Sequence, residues 1–421
     1  MWFKKYKWFL IISFFVGVSF LMMQLFFRFS LADNFKGIFR VINNDELYYM
    51  ARAREILDNH YFISNPYFVE HKISPPMQVF LPDLLLALPA KIIWSNLYSL
   101  FEFYDFLLPA ILFFLTSFIF YKITKNEFWS LFFGSWIILV KYFFVFNRPV
   151  SPQFIFIFVL TLIFILLQIL TQSERKRHFL VLLASLNFGL LFHLYPYYWT
   201  YFSTILVGLI IIFWWQKKFD LVKTTATIFI IGLLIGTPYF YQVWQASHLT
   251  AFAETLNRLG LLKTRFPSGI GTVFPATIVA IGYLFFWKRF VRGSNVGIFF
   301  FIGVLAVFIN MNQHIITGKN QFFSSHYDMI SYFFMAFAAV LLVWQNQRIV
   351  NFLKLRLVKV VLVIILLIIF IPRFVEKLNF NQEFWKNRQR FGQVFDWLNV
   401  NTQKDSVIIS DEILSSMIPS Y

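Results

Sequence analysis

The chain contains no cysteine, which excludes a disulfide framework and any thiolate metal site, and leaves cysteine usage silent about compartment. It is also poor in charge, at 14% Asp, Glu, Lys and Arg, and poorest in acid, with 20 acidic residues against 37 basic ones. Missing too are an internal repeat, a Gly-rich phosphate loop, an HExxH zinc motif and any Ser, His and Asp arrangement suited to nucleophilic catalysis. What is abundant is apolar: 59% hydrophobic residues, with 60 Phe, 19 Tyr and 13 Trp.

That much apolar surface does not fit one soluble core, and apolar runs of roughly 20 residues, the length a helix needs to cross a bilayer, recur along the chain. The sequence reads as an all-α polytopic membrane protein. A formal charge of +17 would suggest nucleic acid in a soluble protein. In a membrane protein the same excess marks cytoplasmic loops, so nucleic acid is not an expected partner.

Hydropathy places spans at residues 8–27, 105–121, 128–146, 153–171, 179–194, 198–216, 224–243, 272–287, 296–312, 329–345 and 358–372, about eleven helices of the usual length. The first is too long for a signal-peptide core and lacks a small-residue cleavage site, so it reads as a retained signal anchor. If Lys4, Lys5 and Lys7 are cytoplasmic, the loops on the same side carry Lys122 and Lys125, Arg175 to Arg177, Lys217 and Lys218, Lys288 with Arg289 and Arg292, and Arg348 to Lys359. The positive-inside rule then predicts a cell-membrane protein with a cytoplasmic N-terminus and an extracytoplasmic C-terminus. Residues 79–94 are apolar but interrupted by Pro82, Asp83 and Pro89; counting them as a span would invert every later loop, so an interfacial or re-entrant helix is expected.

The expected organisation is a membrane domain over 1–372, with a first external loop at 28–104, and an extracytoplasmic segment over 373–421. In that segment residues 383–399 suggest an amphipathic helix burying Phe384, Phe391, Val394, Phe395 and Leu398, and residues 407–409 suggest a short strand, together a small α/β segment. Some 50 residues are marginal for a core of their own, so the segment is expected either to pack on the membrane part or to be cut short at Tyr421.

This topology gathers the polar chemistry outside. Asn44 can cap a helix from about Asp45 to Asn59, with Asp45 and Glu46 in the first turn and Leu47, Met50, Arg54 and Leu57 on one face, which suggests a helix lying on the membrane. The two carboxylates would then either complement the helix dipole, with Arg54 and Asp58 an i,i+4 pair, or form a site. Next comes Pro66-Tyr67-Phe68-Val69-Glu70-His71-Lys72, leading to Ser74-Pro75-Pro76, an aromatic and basic loop that the prolines keep from being helical. A later loop offers Gln313, His314, Lys319, His326 and Asp328 as donors and acceptors for an anionic or polyhydroxylated ligand. His314, His326 and Asp328 could also hold a divalent metal, although their spacing fits no standard pattern, and the segment could equally be a solvated loop. His193 and its aromatic neighbours read as an interface belt, and Arg258, Lys263 and Arg265 either attract lipid phosphates or are ordinary surface charge.

The order of one span, a long external loop opening on Asp45-Glu46 with Tyr48, Tyr49 and Arg52, a Pro-rich basic stretch, and then many spans resembles the GT-C superfamily of membrane glycosyltransferases. That superfamily includes protein O-mannosyltransferases, lipid A aminoarabinose transferases and oligosaccharyltransferase catalytic subunits. The stretch from Tyr67-Phe68 through Lys72 to Pro75-Pro76 is similar to the aromatic-Lys-Pro-Pro segment of the aminoarabinose-transferase branch, with extra residues between the lysine and the prolines. The motifs cover mainly residues 40–80. The resemblance implies transfer of a sugar, with inversion, from a polyprenyl-phosphate donor to a hydroxyl of a lipid, glycan or protein acceptor. It implies Asp45 as general base with Glu46 as assistant or substitute, and a surrounding substrate site of Tyr48, Tyr49, Arg52, His71, Lys72, Gln313, Lys319 and His326. Arg52, His71, Lys72, Lys319 and His326 would stabilise the leaving phosphate. A transporter or flippase for a polyprenyl-linked glycan is the alternative, which should keep ionisable groups within its spans; Lys141 is the clearest, near an end where it can snorkel. A noncatalytic membrane scaffold is the third.

Overall fold

The computed structural model describes residues 2–68, 70, 72, 74–76, 78–92, 96–172, 177–288, 293–320, 324–403 and 406–421. Those residues are helical or irregular, with no strand among them. The helices run α1 (Trp2–Leu31), α2 (Asp45–Leu57), α3 (Leu81–Ile92), α4 (Leu97–Thr124), α5 (Glu127–Ser135), α6 (Ile155–Thr171), α7 (Arg177–Leu194), α8 (Pro196–Trp215), α9 (Phe219–Ser247) and α10 (Phe252–Arg258). They continue through α11 (Ile270–Phe285), α12 (Asn295–Asn312), α13 (His314–Thr317), α14 (Asp328–Trp344), α15 (Gln347–Leu353), α16 (Arg356–Asn379), α17 (Gln382–Arg388), α18 (Gly392–Asn401) and α19 (Glu412–Met417).

Among the described residues, 9 helical stretches are long and apolar enough to cross a membrane, and the architecture is that of a multi-pass membrane protein. They coincide with all but two of the expected spans. The span expected at 272–287 is the shorter apolar helix α11, of 16 residues. The one expected at 128–146 does not stay straight: α5 passes at Trp136–Lys141 into a π-helical turn, and the chain then bends before Arg148. A second π-helical segment, Pro149–Phe154, leads into α6. Pro149 and Pro152 lack the N–H that a continuous helix would need there, so the apolar run is interrupted where the prolines sit.

Two compact units divide the chain. The second, Leu115–Ser130 with Phe158–Val360, contains α7 to α15. In it α9 approaches α7 closely at Gly236, where a Cβ would stand 2.7 Å from the Phe192 ring. The first unit, Met1–Phe114, Leu131–Ile157 and Val361–Tyr421, contains α1 to α3 and the tail helices α17 to α19 around one apolar core.

The position of α2 in that core corrects two expectations. It does not present an apolar face to a membrane: Leu47, Met50, Ala53 and Ile56 are buried in a cluster with Leu86 of α3 and with Trp385, Phe395 and Met417 of the tail. A stripe at helical spacing is covered wherever a partner is available, and here α3 and the tail supply it. Nor does Asn44 cap the helix. Asn43 Oδ1 accepts from the Asp45 backbone N–H at 3.0 Å, one residue earlier, while Asn44 already has helical angles.

The tail packs on the first unit but contains no strand among its described residues; residues 407–409 are irregular, with Ile409 95% exposed, because no neighbouring edge offers ladder partners. Its helical part is broken by a 3-10 turn at Gln389–Phe391. That turn rotates the inward face, so Trp385 and Phe395 are buried while Phe384 and Val394, expected inside, are exposed; Phe391 and Leu398 pack partly against the core as expected. At the start of α18 the backbone comes so near the 36–38 segment that a Cβ on Gly392 would meet the Lys36 carbonyl oxygen at 2.1 Å. Gln389 locks the same contact, accepting from the Lys36 N–H at 2.9 Å and donating to the Ile38 carbonyl at 2.8 Å.

Gly392→Ala is therefore expected to lower unfolding stability by about 1–3 kcal/mol, since neither backbone segment can move aside cheaply. Gly271→Ala, where nothing lies within 4 Å of the added methyl, is expected to leave it unchanged or slightly raised. Denaturant titration of both variants in detergent checks the pair.

Candidate functional site

The first unit holds a cluster of charges at and around α2, and each has a different fate. Arg52 is deeply buried, with its side chain and that of Asp83 each 2% exposed. Its Nη2 donates to Asp83 Oδ2 at 2.8 Å and to the Val79 carbonyl at 2.5 Å, its Nε donates to the same carboxylate at 3.1 Å, and its Nη1 donates to the Tyr48 hydroxyl at 3.0 Å. Burial works against charge on this guanidinium, but Asp83 and then Tyr48 more than offset it and push its pKa above the usual value. Arg52 thereby packs α2 on α3. Asp83, which the sequence offered only as an interruption of an apolar run, is its partner.

Asp45 has the opposite surroundings. Its side chain is 63% exposed at the first turn of α2, and its Oδ2 accepts from Arg148 Nη1, an arginine whose own side chain is 17% exposed. Arg148 sits in the break before Pro149, extended as a pre-proline residue must be. Sequence reasoning did not select it, although a basic residue in a short Pro-flanked connection between two apolar runs on the expected outer side was a readable signal.

Glu46 points the other way and is buried. It lines a cleft, with room for about one water, together with Gln24, Arg40, Tyr98, Glu102 and Asp105. Its carboxyl is held well above the ordinary carboxylate range, first by burial and then by Asp105, against the opposing effects of Arg148, the Ile42 amide and Lys377.

The remaining expected residues are distributed as follows. Tyr48 lies over Tyr67, with ring centroids 6.1 Å apart, and donates to Gln78 Oε1 at 3.2 Å. Burial, with a smaller effect from Tyr48, pushes the Tyr67 hydroxyl up to about 12. Tyr49 packs against the α2 core, and burial raises its hydroxyl too, with Arg148 and Ser151 opposing. Lys72 lies 3.7 Å from Glu55 Oε1, whose other oxygen is bound by His60 at 2.8 Å. Arg54 and Asp58 form the expected i,i+4 contact at 3.9 Å. His71 lies outside the described residues.

Gln313, Lys319 and His326 belong to the second unit. Gln313 donates to the Lys319 carbonyl at 3.0 Å and accepts from Thr317 at 2.9 Å, so it shapes its own loop. His326 stacks on Tyr197 at 4.2 Å and bonds the Tyr195 hydroxyl through Nδ1 at 2.5 Å. The proposed metal donors are used separately: His314 Nε2 bonds the Phe266 carbonyl at 2.7 Å, and Asp328 Oδ1 accepts from Thr272 at 2.7 Å. Among the described residues no group of three or more His, Asp or Glu is placed to hold a metal ion. His193 Nε2 bonds the Ile235 carbonyl at 3.0 Å, within the helix packing.

With this geometry in hand, comparison with known proteins adds no family: no family model matches the chain, and no curated protein matches it significantly.

Removing one partner of the buried pair tests its role in placing α2. Asp83→Ala, which strands the Arg52 charge, is expected to cost about 3–5 kcal/mol of stability, and Arg52→Met combined with Asp83→Leu is expected to recover most of it. Unfolding midpoints of the two variants against the parent provide the measurement.

Proposed function

We propose that the chain is an integral membrane glycosyltransferase that moves a sugar from a polyprenyl-phosphate donor to an acceptor hydroxyl, with Asp45 as base and Arg148 as the cation that receives the leaving phosphate. The observation that carries this reading is the exposed Asp45 carboxylate held against Arg148 at the start of a helix on which Glu46 and Arg52 are buried. A base and an anion-binding donor in contact are what such a transfer needs. The acceptor oxygen attacks the anomeric carbon, its proton passes to Asp45, the bond from that carbon to the phosphate oxygen breaks, and the electron pair leaves on the phosphate. Arg148 changes partner in the step, from the carboxylate to the phosphate, which frees Asp45 for the proton.

The wider arrangement belongs to the same proposal. In it the chain crosses a cell membrane eleven times, by the long helices, α11 and the bent segment Glu127–Lys141, with α2 and Arg148 on the extracytoplasmic side and the N-terminus in the cytoplasm. The acceptor is a lipid, glycan or protein hydroxyl.

A second reading, a transporter or flippase for a polyprenyl-linked glycan, draws on a different observation: Asp105 in α4 and Lys377 in α16 are buried ionisable groups within helices long and apolar enough to cross a membrane.

Transfer from a panel of radiolabelled polyprenyl-phosphate sugars by purified protein in lipid separates the two. Asp45→Asn is expected to lower transfer by about 10²–10⁴-fold with donor binding retained, and Arg148→Gln to weaken donor binding. Undiminished transfer by Asp45→Asn would remove Asp45 as the base; movement of the lipid across the bilayer without transfer would favour the transporter.

A further inference from the structure

The cleft behind Asp45 is lined by polar groups that the proposed transfer does not use. Four of its buried side-chain atoms lack a hydrogen-bond partner: the acceptors Gln24 Oε1, Glu46 Oε2 and Glu102 Oε1, and the donor Arg40 Nε. The residues that carry them are all at least nine-tenths buried. Buried polar atoms are rarely left unanswered, because each costs roughly 1–3 kcal/mol.

The cations nearby do not answer them. Arg40 donates to three carbonyls, of Met23, Lys377 and Leu378. Lys377 donates to the Phe143 carbonyl at 2.7 Å and lies over the rings of Phe20 and Phe143. On the carboxylate side, Glu102 uses its other oxygen on Arg28, and Asp105 accepts from Gln153. A metal cation would stand beside the Arg40 guanidinium and could not accept from its unpartnered Nε. A neutral filling fits better. One water can accept from Arg40 Nε and donate to two acceptors, which leaves one oxygen bare while Glu46 is ionised. A proton on Glu46 converts that oxygen into a donor, and donors and acceptors around the cleft then match.

We propose that Glu46 is a proton-binding site: its carboxyl carries a proton at neutral pH and, with one bound water, fills the cleft, leaving Arg148 to Asp45 and to an anion arriving there. Burial and the nearness of Asp105 favour this protonated state, while Arg148, the Ile42 amide and Lys377 oppose it. The other titratable groups facing Glu46 are Arg40 from the 38–41 segment, Tyr98 and Glu102 from α4, and Tyr421 from the tail. Arg148 donates to Asp45 and acts electrostatically on Glu46, and its Nε is itself buried without a partner. Ionising Glu46 would give that guanidinium a second negative group to serve. The proton therefore decides how freely Arg148 meets an external anion, whatever chemistry follows.

The folded protein holds this proton more tightly than the unfolded chain, whose glutamate titrates near 4.5. The stabilisation is complete below that pH and is lost as the pH rises through the folded value. Wild type is accordingly expected to lose stability relative to Glu46→Gln as the pH is raised from 4.5 towards neutrality and beyond.

Infrared spectroscopy of the protein in lipid reads the proton directly and needs no substrate. At pH 7 a carbonyl stretch of an un-ionised carboxylic acid is expected, absent in Glu46→Gln and retained in Glu102→Gln. Carboxyl-¹³C glutamate incorporated into the unaltered protein should shift the band, which keeps the test valid should a variant fail to fold. No such band at pH 7, a band that survives Glu46→Gln, or one that ignores the glutamate label would overturn the proposal.

Discussion

Arg52 and Asp83 leave water together, and that constraint governs how α2 can sit. A guanidinium with its side chain 2% exposed is tolerable only while a carboxylate and a carbonyl meet its donors in a fixed geometry, so α2 is held against α3 in one register. The apolar contacts of Leu47, Met50 and Ile56 supply the burial, but they would accept small shifts; the charge pair, in which Arg52 Nε and Nη2 both donate to Asp83 Oδ2, would not. The tail adds a second restraint close to the site: Ser420 donates to the Leu47 carbonyl at 2.9 Å, and the Tyr421 ring lies between those of Phe395 and Tyr98.

With the helix fixed in this way, its first turn has two adjacent carboxylates facing different media. Successive residues on a helix point about 100° apart, so if one of them faces the core its neighbour is turned well away from it. Asp45 meets solvent and Arg148; Glu46 meets the interior. The same backbone constraint thus produces a carboxylate suited to exchange with a ligand and another suited to holding a proton. Arg148 couples the two because it comes from a separate part of the chain, where the prolines at 149 and 152 interrupt an apolar run.

Most of the architecture was legible because hydropathy and helix length are local properties. The long apolar helices lie where runs of Phe, Ile and Leu predict them, and the Asp45 helix begins where its acidic turn suggests. What the sequence did not disclose depends on contacts between distant residues. Nothing local marks Arg52 as the partner of Asp83, 31 positions away, or Arg148 as the partner of Asp45 across 103 positions. The amphipathic pattern of α2 was read only in part, since Leu47 and Met50 are buried with Ala53 and Ile56 while Arg54 is not, and it was misassigned to a membrane surface, since periodicity shows that a face is covered without showing what covers it. The strand expected at residues 407–409 failed for a related reason: β-branched residues favour extension, but a strand needs an edge to pair with.

The central claim is that Asp45 and Arg148 form the seat of a lipid phosphate, and an experimental structure of the protein with a polyprenyl phosphate bound tests it most directly. The account predicts phosphate oxygens within hydrogen-bond distance of the Arg148 guanidinium, with Asp45 released from that arginine and Arg52 still paired to Asp83. A phosphate bound elsewhere, with the Asp45–Arg148 contact intact, would contradict it.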